Sequence, residues 1–337
     1  MTHSSLSTNP KHKTWLRGLL GVSIGMFFFW LALRQTSWTE VLNILREIQP
    51  SWILTAIAFY MVSLAVRVIR WRRLMWEMKP LSYPSVGLAL LVGYAMNNLL
   101  PARLGELFRA DFAGRRHGIS RSAVIGSIAV ERTIDGLVVV LSLVLGRLFI
   151  QNHALLNSLT VGGFILFASI FLMLLGISSN SRLSQLVWLP GPIINRIRGF
   201  QSGLSGLKPS LLIPAVIASL IVWVFEGLAH WSILQSLGVA LNWQQMLSLI
   251  GVVNLSTLIP SAPGFAGTYQ YAYAFTLVLL GHTRAQGVAA ATTAQIFLLG
   301  STTLFGLGTY TLLNAMRVFS SDRKQPETKP TKNVTKV

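Results

Sequence analysis

Cysteine is absent from this sequence, and acidic residues are scarce: 10 Asp and Glu stand against 28 Lys and Arg in 337 residues. The first absence excludes a disulfide framework, a thiolate metal site and a cysteine nucleophile. Charge of either sign is also thin, at 11% of residues, where soluble domains carry about 25%. There is no HExxH, no Walker A motif and no histidine pair at ligand spacing, so the expectation is no metal, no cofactor and no enzyme activity. What is plentiful is apolar: 52% of residues are hydrophobic, and they gather in runs long enough to cross a bilayer. A net charge of +18 in a soluble protein would suggest nucleic acid. In a chain this apolar it suggests Lys and Arg that hold loops at the cytoplasmic face and meet anionic headgroups. The reading is an all-α polytopic membrane protein that binds no nucleic acid.

The runs give a topology. Residues 1–14 are a polar cytoplasmic tail, 15–317 a single transmembrane domain and 318–337 a basic cytoplasmic tail. Full spans are expected at 15–33, 52–70, 122–150, 161–178, 211–237 and 287–316, with 34–50 a short loop. Gly21-Val22-Ser23-Ile24-Gly25 in the first span has the spacing of an esterase elbow, but in a membrane helix it reads as a small-residue packing face. Two apolar pieces are too short to cross and break at proline. One, in 84–118, is flanked on both sides by arginine, so it enters from the cytoplasm and returns. The other, in 246–281, enters from outside. Six full spans plus two re-entrant hairpins place both termini and nearly all Lys and Arg inside, as the positive-inside rule requires.

The two breaks resemble each other. Asn98, Pro101 and Gly105 shape the first; Pro260, Pro263, Gly264 and Gly267 shape the second. Pro101 and Pro260 are 159 positions apart, as are Gly105 and Gly264, and Arg67 and Glu226. Span, hairpin and span thus occur twice, over about 52–150 and 211–316, in opposite orientations. Such inverted repeats place a substrate near the midplane, at broken helices. Ionisable residues inside spans are rare and face a cavity or one another. Arg103, Glu106 and Arg109 follow the first break at helical spacing, so Glu106 can pair with either arginine and leave the other guanidinium for a phosphate. Glu131, Arg132 and Asp135 lie within a span, the two acids one turn apart. Glu226 needs a buried partner, for which Arg67, Arg70 and Arg132 are candidates. His230 reads as a packing residue.

Pro101-x-Arg103-x-Gly105-Glu106-x-x-Arg109, Glu131-Arg132-x-x-Asp135 and Pro263-Gly264-x-x-Gly267, in that order, resemble the lysylphosphatidylglycerol synthase transmembrane region, or flippase-like, family, over roughly residues 12 to 317. The resemblance implies an inner-membrane protein of a bacterium or archaeon. In the multiple peptide resistance factors such a region flips the aminoacyl-phosphatidylglycerol that a fused transferase domain makes. This chain ends in a short tail, so synthase activity is not expected of it. Where the second motif often reaches an acidic residue, Gln270 stands here, which weakens any proton-linked role there.

The function expected is therefore a lipid translocase. It would move an anionic phospholipid, an aminoacyl-phospholipid or a polyprenyl-linked lipid, with the headgroup at Arg103, Glu106, Arg109, Glu131, Arg132 and Asp135. Two other readings stand beside it. One is a lipid-headgroup transferase using Glu131 or Asp135 as base. The other is a non-catalytic partner that docks a cytoplasmic lipid-synthesis enzyme through residues 179–210 and the basic tail.

Overall fold

The computed structural model describes residues 10–34, 36–100, 104–148, 153–180 and 190–322, with side chains from 21 to 312. Among them the protein is helical, with no strand. Four helical stretches are long and apolar enough to cross a membrane: Pro50–Met75, Ala154–Ser179, Pro209–Ser236 and Arg284–Leu312.

The chain opens with α1 (Pro10–Leu33), whose apolar segment from Gly21 to Leu33 is shorter than those four. The expected loop at 34–50 holds a helix instead, α2 (Trp38–Arg46). Ser37 starts it by accepting a hydrogen bond from the Glu40 amide, a local N-cap that the mixed charge of the stretch had obscured. α3 (Pro50–Met75) and α9 (Pro209–Ser236) both begin with proline in the first turn, where its missing N–H costs nothing. They pack along each other.

Next after α3 come two short helices, α4 (Tyr83–Leu99) and α5 (Leu104–His117). With 17 residues α4 is about 25 Å long, below the roughly 30 Å of a hydrocarbon core. The helix ends just ahead of Pro101, as the α-disfavouring effect of proline on its predecessor requires. Pro101 and Arg103 themselves lie outside the described residues. The α4–α5 pair is close because both faces are small: a Cβ on Gly105 would fall 2.3 Å from the Asn97 nitrogen and the Gly93 carbonyl. α6 (Arg121–Arg147) and α7 (Ala154–Ser179) follow, then α8 (Gly191–Gly203), which lies in the segment expected as a cytoplasmic loop.

The second half repeats this order of long and short pieces. After α9 come α10 (Trp243–Ser256) and α11 (Thr268–Leu279), again short. α10 opens on an Asn242–Gln245 capping box. A long helical stretch closes the described chain: α12 (Arg284–Ala294), a π-turn at Gln295–Leu299 and α13 (Gly300–Asp322). Short and long helices are exchanged between halves, for α4 packs on α13 and α10 packs on α6. One apolar core gathers around α9, α10, α11 and α12, and another around α3, α4, α6 and the turn Leu204–Leu207.

Between α10 and α11 the backbone turns at Pro263–Phe265, where Gly264 and Phe265 have φ of 65° and 62°. Gly267 follows at φ 91°, and a Cβ there would come 1.9 Å from the Gly25 carbonyl of α1. Gly25 in turn lies against Ala262 and Ala266. The esterase-like spacing is thus a packing face on the second break.

Candidate functional site

Burying an arginine is tolerable only if carboxylates take up its fork. α3 carries two, one turn apart, and the bundle answers both. Arg70, fully buried, holds Asp135 at 2.5 and 3.0 Å and Glu131 at 3.1 Å, and also donates to Ser219 of α9. Arg67 pairs with Glu226 of α9, donates to the Tyr94 hydroxyl at 3.3 Å and lies 3.7 Å from Asp135. α5 supplies a third guanidinium. Arg109 pairs with Glu131 at 2.8 Å and stacks on Trp71, with its guanidinium carbon 3.5 Å from the ring centre.

The fourth guanidinium differs. Arg132 meets Glu106 at 2.8 Å, and both side chains are about a quarter exposed (27% and 25%), whereas the partners of the Arg70 and Arg109 pairs are 5% exposed or less. Arg132 also lies 3.9 Å from both Glu131 and Asp135. Tyr94 stands between Arg67 and Arg132, its ring 5.9 and 5.8 Å from their guanidinium carbons.

Several of these residues wall a cavity of about 180 Å³. The breaks of both short-helix pairs open onto it: Asn97, Asn98 and Glu106 from the first, Asn254, Thr257 and Phe265 from the second. Arg67, Arg132, Asp135 and Glu226 line it from α3, α6 and α9. Arg109 and Glu131 are placed elsewhere. Glu106 pairs with Arg132 and not with Arg109, because Arg109 turns inward to Glu131 and the Trp71 face; the other expected partner, Arg103, lies outside the described residues. Arg109 and Glu131 are absent from the cavity wall and tie α5 to α6.

The uncharged residues have distinct tasks. Asn98 donates to the Leu299 carbonyl at 3.1 Å and to Thr302 and Thr303, which fixes the end of α4 to the π-turn and α13. Gln270 accepts from the Gly267 amide at 2.8 Å and donates to Gln295 at 2.5 Å; Gln295 donates to the Gly264 carbonyl at 2.9 Å. An ionised carboxylate at 270 would lack the N–H that the Gln295 oxygen accepts. Pro260 and Pro263 frame this turn without reaching the cavity.

Sequence reasoning left Arg70 as one candidate among three for Glu226, and the structure makes it the partner of Asp135 and Glu131. The available signal was the buried stripe of α3, Ser63, Arg67, Arg70, Trp71 and Leu74, at helical three- and four-residue steps. His230, read as packing, is on the cavity wall. Its Nδ1 is 2.7 Å from the Glu226 carbonyl, which can only accept, so Nδ1 carries the proton. In the neutral ring Nε2 then accepts from the Tyr269 hydroxyl at 2.9 Å.

A family model, lysylphosphatidylglycerol synthase TM region, matches residues 18–306, which takes in both breaks and every charged residue of the cavity. The chain belongs to that family. The chain is similar to a UPF0104 membrane protein of Methanocaldococcus jannaschii, 27% identical over 192 residues, covering 55% of this chain and 79% of that one. It is also similar to the glycosyltransferase AglD of Haloferax volcanii, 24% identical over 330 residues. That match covers 82% of this chain but only 51% of AglD, about half its length. The family and the apolar helices together make this an integral membrane protein.

Proposed function

We propose that the protein is a lipid translocase that takes a phospholipid headgroup into the central cavity. Our reading of the architecture is six full spans and two re-entrant hairpins, α4–α5 and α10–α11. The two halves form an inverted repeat with both termini in the cytoplasm of a bacterial or archaeal cell, at the inner membrane. The exchange of α4 and α10 between halves supports it, as does the Arg67–Glu226 pair at the 159-residue offset.

One observation carries the function: the quarter-exposed Glu106–Arg132 pair at a cavity whose other described charges, Arg67, Asp135 and Glu226, are 12% exposed or less. A phosphate oxygen can replace Glu106 on the planar guanidinium edge of Arg132, since both are anionic acceptors. The released Glu106 then needs a cation. An amine beside the phosphate, as in an aminoacyl-phospholipid, can supply one. Rocking of one half against the other would pass the headgroup across while the chains stay at the depth of the hydrocarbon core. In proteoliposomes with a headgroup-accessibility readout, Arg132→Ala and Glu106→Gln at wild-type abundance should each slow transfer at least tenfold. Transfer at the wild-type rate in both would overturn this site.

The similarity to half of a longer protein named a glycosyltransferase favours a second reading: a membrane partner of an enzyme that acts on lipid-linked substrates. No transfer by the wild-type protein, with a lipid-synthesis enzyme recovered on the cytoplasmic face, would move the assignment there.

A further inference from the structure

A second cavity adjoins the first. It measures about 470 Å³ and is walled by α6, α9 and α10. Its lining is apolar apart from Ser142, a contrast with the charged wall next door. The two share Trp223 and Val139. Trp223 is fixed at this border, since its Nε1 donates to Asp135 at 3.2 Å and its ring lies 5.6 Å from the Arg67 guanidinium carbon. One face of the indole therefore belongs to the ionic network and the residue also walls the apolar space.

The shape of the second space suits a hydrocarbon chain. Along α9 it runs from Leu220 to Trp231, about 16 Å at helical rise, or close to half of the roughly 30 Å hydrocarbon core. Its far end is marked by Trp231 and Trp243, the residue type that settles at membrane–water interfaces. So the groove spans about one leaflet, from an interface to the charged cavity.

We propose that this groove holds one hydrocarbon chain of the lipid whose headgroup occupies the charged cavity, with Trp223 at the junction of the two. The inference rests on the headgroup reading above, and commits the protein to a lipid held at both ends during transfer. A free headgroup or a water-soluble anion would leave the groove unused.

Gly227 provides the test. It lies in the groove wall, and a Cβ built there meets nothing within 4 Å. A Cβ at 227 thus meets no obstacle; Gly227→Leu projects a branched side chain into the groove, and Gly227→Ala leaves most of it open. The probe is a phosphatidylglycerol with a diazirine at the end of one acyl chain, photolysed with the full-length protein in lipid discs and mapped by peptide mass spectrometry. In wild type and Gly227→Ala, adducts should concentrate on 220–231 and 241–250. Gly227→Leu, with an unchanged melting temperature, should lose them at least tenfold. Adducts spread evenly over the lipid-facing helices, alike in all three proteins, would overturn the proposal. Arg132→Ala separates it from the headgroup reading. If that variant keeps groove adducts that Gly227→Leu removes, the groove stands as a chain site and the headgroup assignment fails. If it loses them too, both stand.

Discussion

The two short-helix pairs do the same architectural job with opposite chemistry. α4–α5 is fastened by charge: Glu106 to Arg132 and Arg109 to Glu131. α10–α11 is fastened by neutral groups: Gln270 and Gln295 hold the backbone of Gly264 and Gly267, and Gly267 seats directly on α1. An amide relay is fully satisfied by its own donors and acceptors and can be rigid. An ion pair at a cavity mouth can trade one partner for another of like charge. On the translocase reading, the first pair would handle the ligand and the second would set the frame against which it moves.

Several substitutions would break or sharpen that contrast. The heaviest loss is expected away from the cavity mouth, at Arg70→Ala, which strips Asp135 of its closest charged partner and leaves Glu131 to Arg109. Breaking one member of such a buried set costs about 3–5 kcal/mol, and should appear as loss of folded protein on size exclusion in detergent. In the second pair, Gly267→Ala must adopt positive φ and push against the Gly25 carbonyl. Conformational and packing costs together come to about 2–4 kcal/mol, read as a lowered melting temperature. Gln270→Leu leaves the Gly267 amide and the Gln295 oxygen unpaired, at about 1–3 kcal/mol, by the same readout. Arg132→Ala should be the mildest for stability, below about 1 kcal/mol for a pair this exposed, while removing transfer. If Arg132→Ala destabilises as much as Arg70→Ala, the division between a working hairpin and a framing one fails.

Much of this arrangement was legible beforehand because membrane burial makes charge conspicuous. Glu131, Asp135 and Glu226 could not sit in apolar helices without partners, and the 159-residue offset put Arg67 opposite Glu226. The breaks were marked by proline and glycine. What stayed hidden depended on direction. In the sequence Arg70 is one candidate of three for Glu226 and Arg109 reads as a headgroup residue, since spacing alone does not say toward which neighbour a guanidinium turns. Only helical phase shows that they turn inward. α2 was missed because a 9-residue amphipathic helix has too little apolar length to register as a run. The aromatic wall of Tyr94, Trp223 and Tyr269 gave no signal, since such residues are common in membrane helices for other reasons.

The ion network also has an electrical consequence. Among the described residues it holds four guanidiniums, Arg67, Arg70, Arg109 and Arg132, and four carboxylates, Glu106, Glu131, Asp135 and Glu226. A unit charge crossing the membrane potential exchanges about 2.3 kcal/mol per 100 mV. A balanced cluster exchanges nothing when it shifts as a body. The resting potential therefore has no handle on these groups while they move together; on the translocase reading, voltage dependence would report the net charge of the cargo or a separation of Glu226 on α9 from Arg67 on α3.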